Sequence, residues 1–126
     1  MRIHKLDHVA IVSADPEASR NWYVNTLEME WIYKDRWDNN PIFLRKGDAF
    51  IAIFRKQEQV GAATASGSGI NHFAFRAESM ADYNSVKSDL TGKGIPFEEQ
   101  DHEISMSLYM VDPDGITVEI TTYDRG

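Results

Sequence analysis

Two histidines in matching contexts and one glutamate carry most of the chemistry that this sequence offers. His8 lies within residues 6–11 and His72 within residues 70–75, and apolar residues flank both histidines at the same offsets. Glu119 lies on an apolar stretch near the end of the chain. Imidazole nitrogens and carboxylate oxygens are ligands for divalent metals, so these three residues predict a metal centre.

The directions of the side chains support this prediction. Neighbouring residues on a strand point to opposite faces, so His8 shares a face with Ala10, and His72 shares one with Ala74. Glu119 shares its face with two threonines, while the apolar neighbours of all three residues point the other way, towards the helices. Buried imidazole and carboxylate groups are costly when they are unpaired, and a shared cation satisfies them.

The two halves of the 126-residue chain repeat one order of elements, because the matching histidine segments lie half a chain apart. Each half is predicted to form a strand, a helix and three further strands, which is an α+β arrangement. We expect a single domain over 1–126, with module one at about 1–58, a linker at about 59–68 and module two at about 69–126. The linker composition is that of a flexible connection, which could also form a flap over a site.

The boundaries of the elements follow from capping residues and turn residues. In the first half we expect a helix from Pro16 to about Leu27, capped by Asp15, and strands at 6–12, 30–37, 41–45 and 49–55. In the second half we expect a helix capped by Ser79 that ends near Gly92 and Gly94, and strands at 71–77, 96–103, 107–111 and 116–123.

Composition excludes several classes of function. The net charge of −7 and the scattered basic residues argue against nucleic acid or an anionic membrane as the main partner. No cysteine is present, which excludes disulfides and thiolate metal sites and suits a reducing compartment. No apolar run approaches the ~20 residues of a membrane span, and the first residues do not form a signal peptide. We therefore expect a cytoplasmic protein.

The sequence resembles the vicinal oxygen chelate superfamily, which includes glyoxalases, bleomycin and fosfomycin resistance proteins, and extradiol dioxygenases. The resemblance covers essentially the whole chain, through the two histidine strands and the Asp-Pro-Asp-Gly turn at 112–115 that precedes Glu119. It implies two tandem βαβββ modules forming a curved mixed sheet around a metal cleft. It also implies that His8, His72 and Glu119 are the metal ligands, and that the protein is a homodimer whose metal site lies within one chain or is shared by two.

Glyoxalases of this superfamily use a fourth protein ligand on the last strand of the first module. Aligning the two modules by their turns places Ala52 at the position of Glu119, and alanine cannot bind a metal. Glu58, or a shift of this alignment by one residue, would be needed to supply a fourth ligand. Two histidines and one carboxylate with open positions are the pattern of non-haem Fe(II) oxygen chemistry.

A narrower resemblance connects residues 102–119 with the extradiol dioxygenase signature, although Gln100 departs from it. In those enzymes the residues matching His102 and Tyr109 line the substrate site and hydrogen-bond the bound catecholate. The alternatives are that Tyr109 is an ordinary half-buried strand residue and that His102 lies on a solvated acidic edge. A further catalytic histidine found in such dioxygenases is missing, because no histidine lies between His8 and His72.

The leading function is therefore an extradiol-type dioxygenase that uses Fe(II) or Mn(II) on a substrate chelating through vicinal oxygens. One alternative is a lyase, isomerase or epimerase acting through a metal-bound enediolate with Ni(II), Co(II) or Zn(II). Another is a small-molecule-sequestering protein without turnover. Phe50, Ala52 and Phe54 share a predicted strand face and are the expected substrate-binding residues, although the phenylalanines could equally be core residues.

Overall fold

The computed structural model describes residues 1–2, 4–57 and 70–125. The chain divides into two compact units, unit 1 (Met1–Ala62) and unit 2 (Ala63–Gly126). The predicted linker at 59–68 and Glu58 lie outside the described residues.

The described part of unit 1 places an α-helix on a four-stranded sheet. Its elements are β1 (Val9–Ser13), α1 (Pro16–Leu27), β2 (Glu30–Ile32), β3 (Ile42–Lys46) and β4 (Ala49–Arg55). The strand order is β1-β4-β3-β2, with β1 parallel to β4 and the other pairs antiparallel. Helix α1 packs on the sheet, and the core contains Ile11, Tyr23, Leu44, Ile51 and Ile53.

Unit 2 repeats this arrangement. Its elements are β5 (His72–Arg76), α2 (Met80–Gly92), β6 (Glu98–Asp101), β7 (Met106–Val111) and β8 (Thr117–Thr122). The strand order β5-β8-β7-β6 and the strand directions match those of unit 1, so the predicted pair of βαβββ modules is confirmed. Its core contains Tyr83, Leu90, Leu108, Met110, Val118 and Ile120. Neither described helix has the length and apolar character that a membrane span requires.

Both helices begin where the capping residues predict. The Asp15 carboxylate accepts a hydrogen bond from the Ala18 N–H at 3.2 Å, and Pro16 is the first residue of α1. The Ser79 hydroxyl accepts a hydrogen bond from the Asp82 N–H at 3.0 Å. These side chains satisfy amides in the first helical turn that have no partner within the helix.

The predicted strand at 30–37 is wrong beyond Ile32. The chain instead turns over Arg36–Asn39, and five residues adopt left-handed φ angles, namely Tyr33, Asp35, Trp37, Asp38 and Asn39. The Asn39 side chain closes this turn by accepting from the Asp35 N–H at 2.8 Å and donating to Asp35 Oδ1 at 3.0 Å. Short polar residues tolerate left-handed backbone, which is why the aspartate and asparagine positions permit the turn.

Two other predicted strands are too long. Strand β1 begins at Val9, and Leu6, where the prediction began, is 77% exposed. Strand β6 spans only Glu98–Asp101, and all of its residues are exposed. Each is an edge strand, so the hydrogen bonds of a single neighbouring strand hold it in the sheet.

The turn between β7 and β8 sets the register of the strands that carry the candidate site. Asp112 Oδ1 accepts hydrogen bonds from the N–H groups of Asp114 at 2.8 Å and Ile116 at 2.9 Å. Gly115 has φ +83°, a left-handed conformation that glycine adopts without steric cost. The resulting register places Tyr109 opposite Glu119.

Candidate metal centre

The strand registers show that Ala52 and Glu119 hold equivalent positions in the two units. In unit 1, Ala10 on β1 pairs with Ala52 on β4. In unit 2, Ala74 on β5 pairs with Glu119 on β8. The duplicated framework therefore carries a carboxylate at this position in unit 2 and a methyl group in unit 1.

His72 and Glu119 are in contact within unit 2. His72 Nε2 lies 2.9 Å from Glu119 Oε1, and His72 Nδ1 lies 2.6 Å from Asn71 Oδ1. Glu119 is only 8% exposed. A proton on Nε2 can make the contact with Oε1, and a bound cation in its place would join the same two atoms.

His8 directly precedes β1, and its ring is 5.3 Å from that of Phe43. Phe43 pairs with Ala52, which pairs with Ala10, so His8 lies on the predicted face. His8 Nδ1 lies 2.8 Å from Asp7 Oδ2. Because a carboxylate only accepts hydrogen bonds, Nδ1 donates in this contact, which leaves Nε2 as the ring nitrogen that could bind a metal.

Asp7 and Asn71 are orienting residues that the sequence analysis did not identify. Each precedes its histidine and holds Nδ1, so Nε2 is the nitrogen available to a metal in both units. Such outer contacts fix the orientation of metal-binding imidazoles. The signal was present in the sequence, because an oxygen-bearing side chain stands directly before each of the two histidines.

The donor atoms suit a divalent cation. Unit 2 has an imidazole nitrogen and a carboxylate oxygen in contact, and unit 1 has one oriented imidazole. Over the described ranges, no three histidine, aspartate or glutamate side chains are grouped so that they could hold a metal ion. Nitrogen and oxygen donors of this kind suit Fe(II), Mn(II), Co(II), Ni(II) or Zn(II).

Tyr109 and His102 extend the polar group of unit 2. Tyr109 lies opposite Glu119 in the sheet, and its hydroxyl is 2.9 Å from His102 Nε2. The Tyr109 ring centroid is 6.0 Å from that of His72. Burial raises the pKa of Tyr109, and the negative charge of Glu119 raises it further. The phenol therefore keeps its proton at neutral pH and can donate it in a hydrogen bond to His102, an exposed residue just beyond β6.

Unit 1 carries an aromatic group, here named the Phe43 cluster. The ring centroid of Phe43 lies 5.3 Å from that of His8, 5.6 Å from Tyr33, 6.3 Å from Trp37 and 6.3 Å from Phe50. Tyr33 and Trp37 are 56% and 58% exposed, so the cluster has an open side.

The three predicted substrate-binding residues differ in their contacts and exposure. Phe50 belongs to the Phe43 cluster, Ala52 is buried at 1% exposure, and Phe54 is 37% exposed. Phe43 itself was missed by the sequence analysis, because only the pairing of β3 with β4 places it on the face of Ala52. By register, Phe43 is the equivalent of Tyr109 in unit 2. At this position unit 1 has a phenyl ring, and unit 2 has a phenol whose hydroxyl can form hydrogen bonds.

Comparisons with known proteins agree with this architecture. A family model described as the glyoxalase/bleomycin resistance protein/dioxygenase superfamily matches residues 5–120. A curated relative, biphenyl-2,3-diol 1,2-dioxygenase 2 from Rhodococcus globerulus, is 29% identical in an alignment 126 residues long that covers 92% of this chain. The match spans only 61% of the length of that relative.

Solved structures share the fold. Lactoylglutathione lyase from Agrobacterium tumefaciens is 22% identical with a TM-score of 0.77, over 97% of this chain and 96% of that one. The fosfomycin resistance protein FosX from Mesorhizobium loti is 21% identical with a TM-score of 0.66, over 96% of this chain and 93% of that one. At these identities the likeness concerns the fold alone.

Proposed function

The chain belongs to the glyoxalase/bleomycin resistance protein/dioxygenase superfamily, and we propose that it is a divalent-metal-dependent enzyme for a small substrate that chelates the metal through vicinal oxygens. The observation that carries the proposal is the contact of His72 Nε2 with Glu119 Oε1 at 2.9 Å. In both units the histidine Nδ1 is held by the preceding residue, which directs Nε2 to the ligand role.

The proposed ligands are His8, His72 and Glu119, and the favoured metals are Fe(II) and Mn(II). Ala52, the counterpart of Glu119, has no donor atom, so the set of three ligands leaves coordination positions for substrate and oxygen. When bound, the metal supplies Lewis-acid polarisation of the substrate oxygens and redox chemistry with O₂.

The favoured reaction is extradiol-type dioxygenation, in which O₂ is the oxidant and both of its atoms enter the ring-opened product. The name of the Rhodococcus relative supports this choice. A diol must lose a proton to chelate well, and Tyr109 with His102 forms a path for it. Tyr109 accepts the substrate proton on its hydroxyl oxygen as it donates its own proton to His102 Nε2, 2.9 Å away.

The Phe43 cluster is the proposed surface for an aromatic substrate, with Phe50 inside it and Phe54 and Ala52 on the same strand face. Aromatic rings prefer edge-to-face or offset contacts at the spacings found in this cluster. The cluster also favours a second candidate function, the sequestration of a planar molecule without turnover. A lyase, isomerase or epimerase is less favoured, because Ala52 supplies no fourth ligand.

Oxygen uptake tests the proposal. Protein purified without oxygen is loaded with Fe(II) or Mn(II) and supplied with catechol, a 3-substituted catechol and 2,3-dihydroxybiphenyl. We expect uptake together with a ring-cleaved product, loss of both in His72→Ala, and retention in His4→Ala, which replaces an exposed histidine outside the proposed site. Bound metal without oxygen uptake would contradict the dioxygenase proposal. Binding of an aromatic diol without turnover would support sequestration. The homodimer and the cytoplasmic location remain predictions.

A further inference from the structure

Two buried hydroxyl groups lie beside the carboxylate of Glu119. Ser107 is 0% exposed and Thr121 is 7% exposed. Ser107 Oγ donates to Glu119 Oε2 at 2.6 Å and lies 2.9 Å from Thr121 Oγ1. Ser107 and Thr121 are paired across β7 and β8, two positions along the strands from the pair formed by Tyr109 and Glu119. One oxygen of the carboxylate is therefore held by a hydroxyl, and the other faces His72.

The comparison between units indicates that this hydroxyl pair accompanies the carboxylate. Ala52 stands at the position of Glu119, and the residue two places further along β4 is Phe54, where unit 2 has Thr121. Two residues before Phe43 the chain has Pro41, where unit 2 has Ser107. The same strand framework thus forms in unit 1 without either hydroxyl, so the βαβββ fold does not require them.

The hydrogen-bonding capacity of the two hydroxyls fits a supporting role. A serine hydroxyl has a single proton, and a carboxylate is the strongest acceptor near Ser107. With the Ser107 proton given to Glu119 Oε2, the single proton of Thr121 is donated to Ser107 Oγ, while the carbonyl oxygen of Met106, 3.3 Å from Thr121 Oγ1, is its alternative acceptor. Thr121 therefore orients Ser107, and Ser107 holds Glu119 Oε2.

We propose that Ser107, supported by Thr121, is a positioning residue that holds Glu119 Oε2 and so presents Oε1 as the metal-binding oxygen beside His72. This inference rests on the metal site proposed above. A carboxylate with one oxygen already engaged loses less rotational freedom when it binds a cation. Outer contacts of this kind contribute about 10- to 100-fold to metal affinity in known sites.

Metal affinity, measured apart from catalysis, tests the inference. Dissociation constants of Mn(II) and Co(II) are measured by chelator competition for the wild type, Ser107→Ala, Thr121→Val, Glu119→Ala and a matched control, Ser105→Ala. Ser105 is also a buried serine, two residues from Ser107, but it is not paired with the Glu119 strand in the described sheet. Circular dichroism confirms that each variant is folded.

We expect Ser107→Ala to weaken binding by about 10- to 100-fold and Thr121→Val to weaken it less, because Thr121 acts through Ser107. Ser107→Thr keeps the hydroxyl and should restore most of the affinity, and Ser105→Ala should match the wild type. Wild-type affinity in Ser107→Ala and Thr121→Val, with binding lost in Glu119→Ala, would overturn the positioning role and leave the metal site intact. Unchanged binding in Glu119→Ala would instead overturn the metal site itself.

Discussion

His72 Nε2 lies 2.9 Å from Glu119 Oε1, whereas the equivalent positions in unit 1 hold His8 and Ala52. Alanine has no donor atom, so the duplicated framework pairs its histidine with a carboxylate in unit 2 and not in unit 1. We therefore expect unit 2 to contribute most of the free energy of the proposed metal binding. Among the described hydrogen bonds, Asp7 alone orients His8, which is a proposed ligand.

Removing the side chain that orients each histidine should weaken metal binding without abolishing it. In Asp7→Ala and Asn71→Ala the imidazole ring loses the contact at Nδ1 and can rotate. We expect each variant to lose about 10-fold in Mn(II) affinity. This is the low end of the range for outer contacts, because both residues are exposed. Asp7→Asn retains an oxygen acceptor and should lose less than Asp7→Ala. Equal affinities for Asp7→Ala and the wild type in chelator competition would exclude the orienting role.

Phe43 should govern the binding of aromatic substrates. Phe43→Ala removes the ring that contacts His8, Tyr33, Trp37 and Phe50, and we expect KM for an aromatic substrate to rise about 10-fold with a smaller change in kcat. Phe43→Leu keeps apolar volume but no ring, so it should recover only part of this loss. Steady-state kinetics with catechol and 2,3-dihydroxybiphenyl measure the effect. A KM unchanged in Phe43→Ala would show that the cluster does not contact the substrate.

The raised pKa of Tyr83 predicts that the protein loses stability at alkaline pH. Its buried hydroxyl donates to Glu99 Oε2 at 2.8 Å, and burial, followed by the interaction with Glu99, raises its pKa above the ordinary value of 10.0. Above about pH 10 the unfolded tyrosine loses its proton first. The folded state then binds more protons than the unfolded state, so the free energy of unfolding falls as pH rises.

Tyr83→Phe removes this titration. At neutral pH the variant should be less stable by about 1 kcal/mol, the contribution of a buried hydrogen bond. The difference from the wild type should shrink as pH rises through the ordinary tyrosine pKa, because only the wild type loses the Tyr83 contribution there. Urea denaturation at a series of pH values measures both curves. A difference that stays constant with pH would refute the assignment to Tyr83.

Asp112 should be required for stability through the turn that aligns β7 with β8. It is 4% exposed and accepts the N–H groups of Asp114 and Ile116. Asp112→Ala leaves these amides without that acceptor, and we expect a loss of about 1–3 kcal/mol in the free energy of unfolding. Asp112→Asn retains the accepting oxygen and should cost less. Equal losses in the two variants would show that the hydrogen bonds to Oδ1 are not the source.

Much of the fold was predictable from local signals. Helix α1 was predicted correctly because Asp15 and Pro16 are strong start signals that act within one turn. The end of β2 was not predictable from alternation, because Tyr33 to Trp37 continues a strand-like pattern of residue types. The turn depends on hydrogen bonds between Asp35 and Asn39, which periodicity does not reveal.

The candidate site was predictable in part, for a similar reason. The face on which His8, His72 and Glu119 lie followed from alternation, and the equivalence of Ala52 and Glu119 followed from matching turns. Phe43 and Ser107 were missed because their importance arises from cross-strand register, which pairs them with Ala52 and Thr121. A single sequence specifies which residues alternate on a strand, but the partner strand decides which of them meet.

Anaerobic equilibrium dialysis with Fe(II) is the most direct test of the central claim that His8, His72 and Glu119 form one metal site. We expect about one Fe(II) per wild-type chain and an equal amount in His4→Ala. Binding should be lost in His72→Ala and Glu119→Ala, and it should be strongly weakened in His8→Ala. Wild-type metal content in both His72→Ala and Glu119→Ala, with the protein folded by circular dichroism, would contradict the account.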